Sequence, residues 1–116
     1  MNLLLDTHAF IWWITNNPKL NVKARAAISD PTRVVFVSTA TAWEISIKAS
    51  LGKITAPGDY EAELEAHQLQ ALPILNAHAL AVQHLPLHHQ DPFDRLLIAQ
   101  ASLERLKAYG VPLLMT

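Results

Sequence analysis

Short apolar runs alternate with longer mixed segments along the chain, and this pattern predicts strands alternating with helices. Residues 1–5 are a continuous apolar run and residues 33–37 are largely β-branched and aromatic, so both are predicted as buried strands. A third strand is predicted at 72–75, on a sheet edge because Pro73 has no amide hydrogen to donate. Helices are predicted at 9–14, 21–28, 39–50, 59–69, 77–84 and from 92 to a stop at Gly110, with a last strand at 111–115.

Residues with capping preferences set the expected helix ends. Ser38 or Thr39 can cap the third helix, and Gly52 can end it in the left-handed conformation. Asp91 can cap the last helix, in which Pro92 would take the first position. The alternation of strands and helices predicts a mostly parallel sheet covered on both faces, an α/β sandwich of about four short strands in one domain, residues 1–116.

Composition and charge exclude several classes of protein. With 51% hydrophobic residues in 116, the chain can build a core, but no apolar run approaches the roughly 20 residues that span a bilayer, so no membrane partner is expected. No basic region precedes the first apolar run, and cysteine is absent, so we expect a cytoplasmic protein without disulfides or thiolate metal sites. A net charge of −1 argues against broad electrostatic capture of nucleic acid, but not against a nuclease with a local cationic groove or a metal ion.

Three acidic residues stand in apolar surroundings. Asp6 ends the first strand, Glu44 lies on the third helix, and Asp94 falls in the first turn of the last helix. Ligands of open α/β sheets bind beyond the carboxyl ends of the strands, where these positions can converge. Buried ionised carboxylates are costly unless a cation pairs with them, and an all-oxygen set favours Mg²⁺ or Mn²⁺ over Zn²⁺. The predicted chemistry is metal-assisted hydrolysis of a phosphodiester.

Each acid also has a simpler structural role open to it. Asp6 could cap the helix that follows, Glu44 could pair with Lys48 four residues along, and Asp94 gains about 0.3–1 kcal/mol from the helix dipole in any case. Asp91 is expected to be a cap rather than a ligand.

The other candidate residues are given structural or solvated roles. The six histidines are expected to be solvated, and Trp12 and Trp13 to lie in the core or an interface rather than to stack on bases. Arg95 could contact a phosphate or pair with Asp91 at the start of the last helix.

Four motifs, in order, resemble the PIN-domain ribonucleases, particularly the VapC-type toxins of toxin–antitoxin pairs. They lie at residues 5–8 with Trp12 following, at 38–48 around Trp-Glu-Ile, at 51–53, and at 89–101. The resemblance implies a three-layer α/β/α sandwich, Mg²⁺- or Mn²⁺-dependent endoribonuclease activity on an RNA substrate, a homodimer, and a cognate antitoxin protein as inhibitor. The family's catalytic and metal-binding acids match Asp6, Glu44 and Asp94.

The fourth acid of the family pattern has no counterpart in this sequence. Residues 111–116 end without a further Asp, and if residues 106–112 are instead the family's last strand, the preceding strand and its acid are missing. Either interpretation leaves three carboxylates, which can hold one hard cation with water and phosphate in the remaining positions. The competing hypothesis is therefore a catalytically impaired PIN-like domain that mainly binds an antitoxin or its own copy.

Overall fold

A computed structural model of the chain describes residues 2–86 and 90–109. Its central sheet has four strands, which are Leu3–Leu5 (β1), Val35–Ser38 (β2), Gln70–Leu72 (β3) and Lys107–Tyr109 (β4). Their order is β3-β2-β1-β4, and every pair is parallel. The predicted α/β class and its parallel sheet are confirmed, and β3 lies on an edge as predicted, with Pro73 directly after it.

Helices connect the strands in the predicted order. Their bounds are Thr7–Ile14 (α1), Val22–Ser29 (α2), Thr39–Ser50 (α3), Tyr60–Ala66 (α4), Asn76–Ala81 (α5) and Pro92–Leu103 (α6), with a 3₁₀ turn at Val82–His84 after α5. The first helix begins two residues earlier than predicted because Asp6, not a later residue, caps it. None of the described helices is long and apolar enough to cross a bilayer.

The side chains of β1 alternate between two cores, one on each face of the sheet. Leu3 and Leu5 belong to the larger core, together with Phe10 of α1. Leu4 points to the other face, where Leu97 of α6 packs against it. All three leucines of β1 are fully buried, as expected for a strand covered on both faces, so the helices form outer layers around the sheet.

Four helices end in the same way, with one residue in the left-handed conformation. These residues are Asn16, Gly52, Gln68 and Arg105, with φ between 52° and 71°. In each case the next amide donates to the carbonyl five residues earlier in the chain, as Leu106 N does to Ala101 O at 2.8 Å. Two of the four stops are long polar residues that give little sequence signal for this conformation.

These stops correct three predicted boundaries. The helix predicted at 59–69 ends at Ala66, so the strand predicted at 72–75 is at Gln70–Leu72 and stops before Pro73. The last helix ends at Leu103 rather than near Gly110, and residues predicted as helical form β4 beside β1. This agrees with the alternative that placed a strand at 106–112. The strand predicted at 111–115 lies outside the described residues.

Candidate active site

The register of the two central strands brings the predicted site elements to one edge of the sheet. Leu5, the last residue of β1, pairs with Val37, so Asp6 and Ser38 emerge together at the carboxyl ends of their strands. Ser38 caps α3, which starts at that edge and carries Glu44 on its second turn. The sheet therefore sets the relative positions of the first two acids.

Asp6 is buried, and its two oxygens differ. Oδ1 accepts a hydrogen bond from Ala9 N at 2.8 Å and so caps α1, whereas Oδ2 is buried with no hydrogen-bond partner. The pKa of this carboxyl is raised to about 6, chiefly by burial and also by the negative charges of Asp94 and Glu44, against the lowering effects of the Ala9 amide and His8. The cap predicted for Asp6 is confirmed, but it uses only half of the carboxylate.

Glu44 is held by two donors on different elements. Thr7 Oγ1, at the start of α1, donates to Oε1 at 2.6 Å and lies 3.3 Å from Thr41 Oγ1. Lys48 Nζ lies 2.5 Å from Oε2. The predicted pairing with Lys48 is present, with the Glu44 side chain 6% exposed and the Lys48 side chain 33% exposed, so this is a partly buried ion pair rather than a surface bridge.

Lys48 is the cation of the site. Its pKa is raised chiefly by the hydrogen bond to Glu44, against a lowering by desolvation, and further by the charges of Glu44, Asp91 and Asp94. The ammonium thus lies within electrostatic reach of both helices that supply acids.

The start of α6 places Asp94. Asp91 Oδ1 accepts from Phe93 N at 2.8 Å and from Asp94 N at 3.2 Å, with Pro92 at the first helical position, so the predicted cap is confirmed. Asp94 is half-buried in the first turn, and its charge acts on both Asp6 and Lys48. The three predicted acids therefore share one electrostatic environment.

Arg95 and His78 take roles that the sequence did not predict. Arg95 donates from its guanidinium to Pro86 O at 3.0 Å and to Val82 O at 2.9 Å, which ties the start of α6 to the segment before it. The prediction that all six histidines are solvated is wrong for His78, which is buried. Its Nδ1 accepts a hydrogen bond from the backbone amide of Leu75 at 3.0 Å, where α5 begins. His88 and His89 lie outside the described residues.

The three acids are the ligand type that a hard cation prefers, but their side chains are not close enough together to hold one in this structure. Within residues 2–86 and 90–109, no three Asp, Glu or His side chains lie close enough together to hold a metal ion. Both oxygens of Glu44 are engaged by Thr7 and Lys48, whereas Asp6 Oδ2 is an unpaired buried acceptor. These oxygen ligands, with Asp6 Oδ2 unpaired, suit Mg²⁺ or Mn²⁺. Glu44 Oε2 could join them only if its ion pair with Lys48 were broken.

The three tryptophans differ in exposure: Trp12 and Trp13 are half-buried, and Trp43 is exposed. Trp12 and Trp13 pack against the larger core, as predicted. Trp43, next to Glu44, is 59% exposed, and its ring centroid lies 5.1 Å from that of Phe93 with the planes at 70°. Sequence reasoning assigned no role to this pair or to Thr7, although all three stand beside a candidate acid in the chain.

A comparison with protein families identifies the chain. The family model described as "PIN domain" matches residues 3–116, nearly the whole chain. No curated protein gave a significant match. The family match and the sheet topology agree, and together they support a nuclease-type function for the chain.

Proposed function

The chain belongs to the PIN domain family, and on that premise we propose that it is a metal-dependent endoribonuclease that acts as the toxin of a toxin–antitoxin pair. Asp6, Glu44 and Asp94 would hold Mg²⁺ or Mn²⁺. The bound ion would polarise an RNA phosphodiester and lower the pKa of a water. The RNA substrate, the antitoxin partner and a homodimeric state come from the resemblance of the motifs to VapC-type toxins.

One observation carries the proposal: Oδ2 of Asp6 is buried without a hydrogen-bond partner, in a carboxyl on which the charges of Asp94 and Glu44 act. An acceptor without a donor in a buried site is costly, and the cost is removed either by a proton or by a cation. The raised pKa of Asp6 is the response of the cation-free site. A divalent ion would hold the carboxyl ionised at neutral pH.

The other residues of the site position and balance these acids. The Thr7 hydroxyl fixes one oxygen of Glu44 from the neighbouring helix. Lys48 neutralises part of the negative charge and would release Glu44 Oε2 when an ion binds. After release, its ammonium would remain on the same side as the acids, where it could face a phosphate oxygen.

The test is RNA cleavage and Mn²⁺ binding by Asp6→Asn. Asparagine keeps an oxygen for Ala9 N but loses the charge, so we expect cleavage of single-stranded RNA to fall at least about 100-fold and calorimetric Mn²⁺ binding to weaken. Asp59→Asn is the matched control, because Asp59 caps α4 through Ala62 N at 3.0 Å in the same way. Unchanged metal-dependent cleavage by Asp6→Asn would refute the mechanism.

The competing function, an impaired domain that binds a protein, is favoured by exposed leucines on two packed helices. Leu80 of α5 is 64% exposed and Leu103 at the end of α6 is 50% exposed. The two functions differ in a single measurement. Absence of Mn²⁺ binding to the wild-type protein at millimolar concentration would favour the binding domain, and RNA cleavage abolished by chelation would favour the nuclease.

A further inference from the structure

Trp43 presents an aromatic surface at the rim of the candidate active site. Its indole is 59% exposed, although its neighbour Glu44 in the same helix is 5% exposed. Successive residues of a helix point about 100° apart, so α3 directs Glu44 inward and Trp43 outward from the same turn. A large exposed aromatic ring beside a buried acid offers a face on which a ligand can stack.

The ring is held in place from a second helix. Phe93 of α6 meets Trp43 in an edge-to-face arrangement, at 5.1 Å and 70°. Such a pair leaves part of the ring faces uncovered, and the contact restricts the rotamers of the indole. Trp43 and Phe93 directly precede Glu44 and Asp94 in the chain. The helices that position the two acids therefore also position the aromatic pair.

The charge of the chain favours a single-stranded ligand over a duplex. A duplex hides its base faces and is bound chiefly through its phosphates, which requires clustered cations. Here nine Lys and Arg are outnumbered by ten Asp and Glu. In a single strand the base faces are open, and stacking on an aromatic side chain contributes affinity without any charge.

We propose that Trp43, supported by Phe93, is a stacking platform for an unpaired base of the RNA, one nucleotide or so from the scissile phosphate, which would lie beside the ion that Asp6, Glu44 and Asp94 would hold. The proposal rests on the proposed ribonuclease function for its substrate class. A stacking platform would make the enzyme selective for single strands, whose base faces are exposed. Because every base has such a face, the preference for sequence would be small.

Binding is measured separately from cleavage, so that each can fail alone. The parent is the uncleaving Asp6→Asn variant, and the probes are a fluorescein-labelled 12-nucleotide single-stranded RNA and its duplex with the complement, titrated by anisotropy. We expect Trp43→Ala to bind the single strand about 5- to 100-fold more weakly and Trp43→Phe to recover most of the loss. Duplex affinity should stay within about twofold, and the salt dependence should not change, because stacking neutralises no phosphate.

Two controls separate stacking from other effects. Leu51→Ala removes another exposed apolar side chain, just after the C-terminus of the same helix and about 12 Å from Trp43 along the axis, and should leave both affinities unchanged. In the Asp6→Asn parent, the single strand should quench tryptophan fluorescence more than in the Trp43→Phe derivative of that parent. Equal single-strand affinities for the parent and Trp43→Ala would overturn the proposal, and so would an effect confined to oligomeric state in light scattering, which would assign the ring to a protein contact. Loss of cleavage without these binding effects would instead leave the catalytic proposal standing alone.

Discussion

Asp6→Asn should change the pH dependence of folding in a direction that the structure fixes. Without metal, the native carboxyl has a pKa of about 6 against 3.8 for an ordinary Asp. The folded state therefore holds the proton more tightly than the unfolded state. Between about pH 4 and 6, the Asp6 carboxyl is ionised in the unfolded chain but still largely protonated in the native protein. The stability that the protonated native carboxyl contributes is therefore lost as pH rises.

The size of the effect follows from the same pair of values. The gap between 3.8 and about 6 corresponds to at most about 3 kcal/mol, present in full below pH 4 and lost above about pH 6. Asparagine does not ionise, and its oxygen can still accept from Ala9 N. We therefore expect the free energy of unfolding of Asp6→Asn, relative to wild type, to rise by about 1–3 kcal/mol between pH 4 and 7.5.

Urea unfolding in EDTA at half-unit pH steps measures this difference, and Asp59→Asn reports what the same exchange does at an exposed cap. Other titrating groups cancel when the two curves are subtracted. A difference that is flat between pH 4 and 7.5, or that falls, would refute the reasoning. Adding Mn²⁺ at pH 7.5 should shift the stability difference back toward the wild type, because an ion at a hundred times its Kd stabilises the wild type by about 2.7 kcal/mol and should not bind the variant comparably.

Further predictions concern the support of Glu44 and the helix ends. Thr7→Val should lower the free energy of unfolding by about 1–3 kcal/mol because it removes the hydroxyl that donates to the buried Glu44 carboxylate. Thr7→Ser keeps a hydroxyl and should recover most of the lost stability. Equal stability of the two variants would contradict this role of the hydroxyl. Gly52→Ala should cost about 1 kcal/mol through its φ of 71° alone, since no atom lies within 4 Å of an added Cβ. Gln68→Gly should have the opposite sign and stabilise by about 0.5–1 kcal/mol, as measured by urea unfolding; a shared sign for the two would show that backbone conformation is not the cause.

The sequence predicted elements better than their ends, and the reason lies in the left-handed residues. Gly52 and Asn16 belong to residue types that adopt this conformation readily, and the helices before them end close to where they were predicted. Gln68 and Arg105 do not, and the helices before them were predicted too long. Tertiary packing overrides local preference there: the chain must turn at these positions to bring β3 and β4 into the sheet.

The site was predicted as a set of acids but not as a network. Strand ends and helix starts indicated where Asp6, Glu44 and Asp94 would lie, and the register of β1 with β2 brings the first two to one edge. The Thr7 hydroxyl on Glu44 joins residues 37 positions apart, a pairing that no local pattern encodes. The exposure of Trp43 likewise depends on which face of α3 the rest of the fold covers, and is invisible in the sequence.

The two carboxylate oxygens of Asp6 have separate roles, one in the fold and one in the candidate chemistry. Oδ1 completes the N-terminus of α1 by accepting from Ala9 N, and Oδ2 is buried without a hydrogen-bond partner. Because β1 ends in register with Val37, a slip of one residue would turn Leu3 and Leu5 to the opposite core and carry Asp6 away from Glu44. The strand register and the helix cap therefore stabilise this arrangement, whereas the charge of the buried carboxylate near the other acids opposes it. Asparagine at this position preserves the register and the cap and removes the charge, which is why it can separate folding from catalysis.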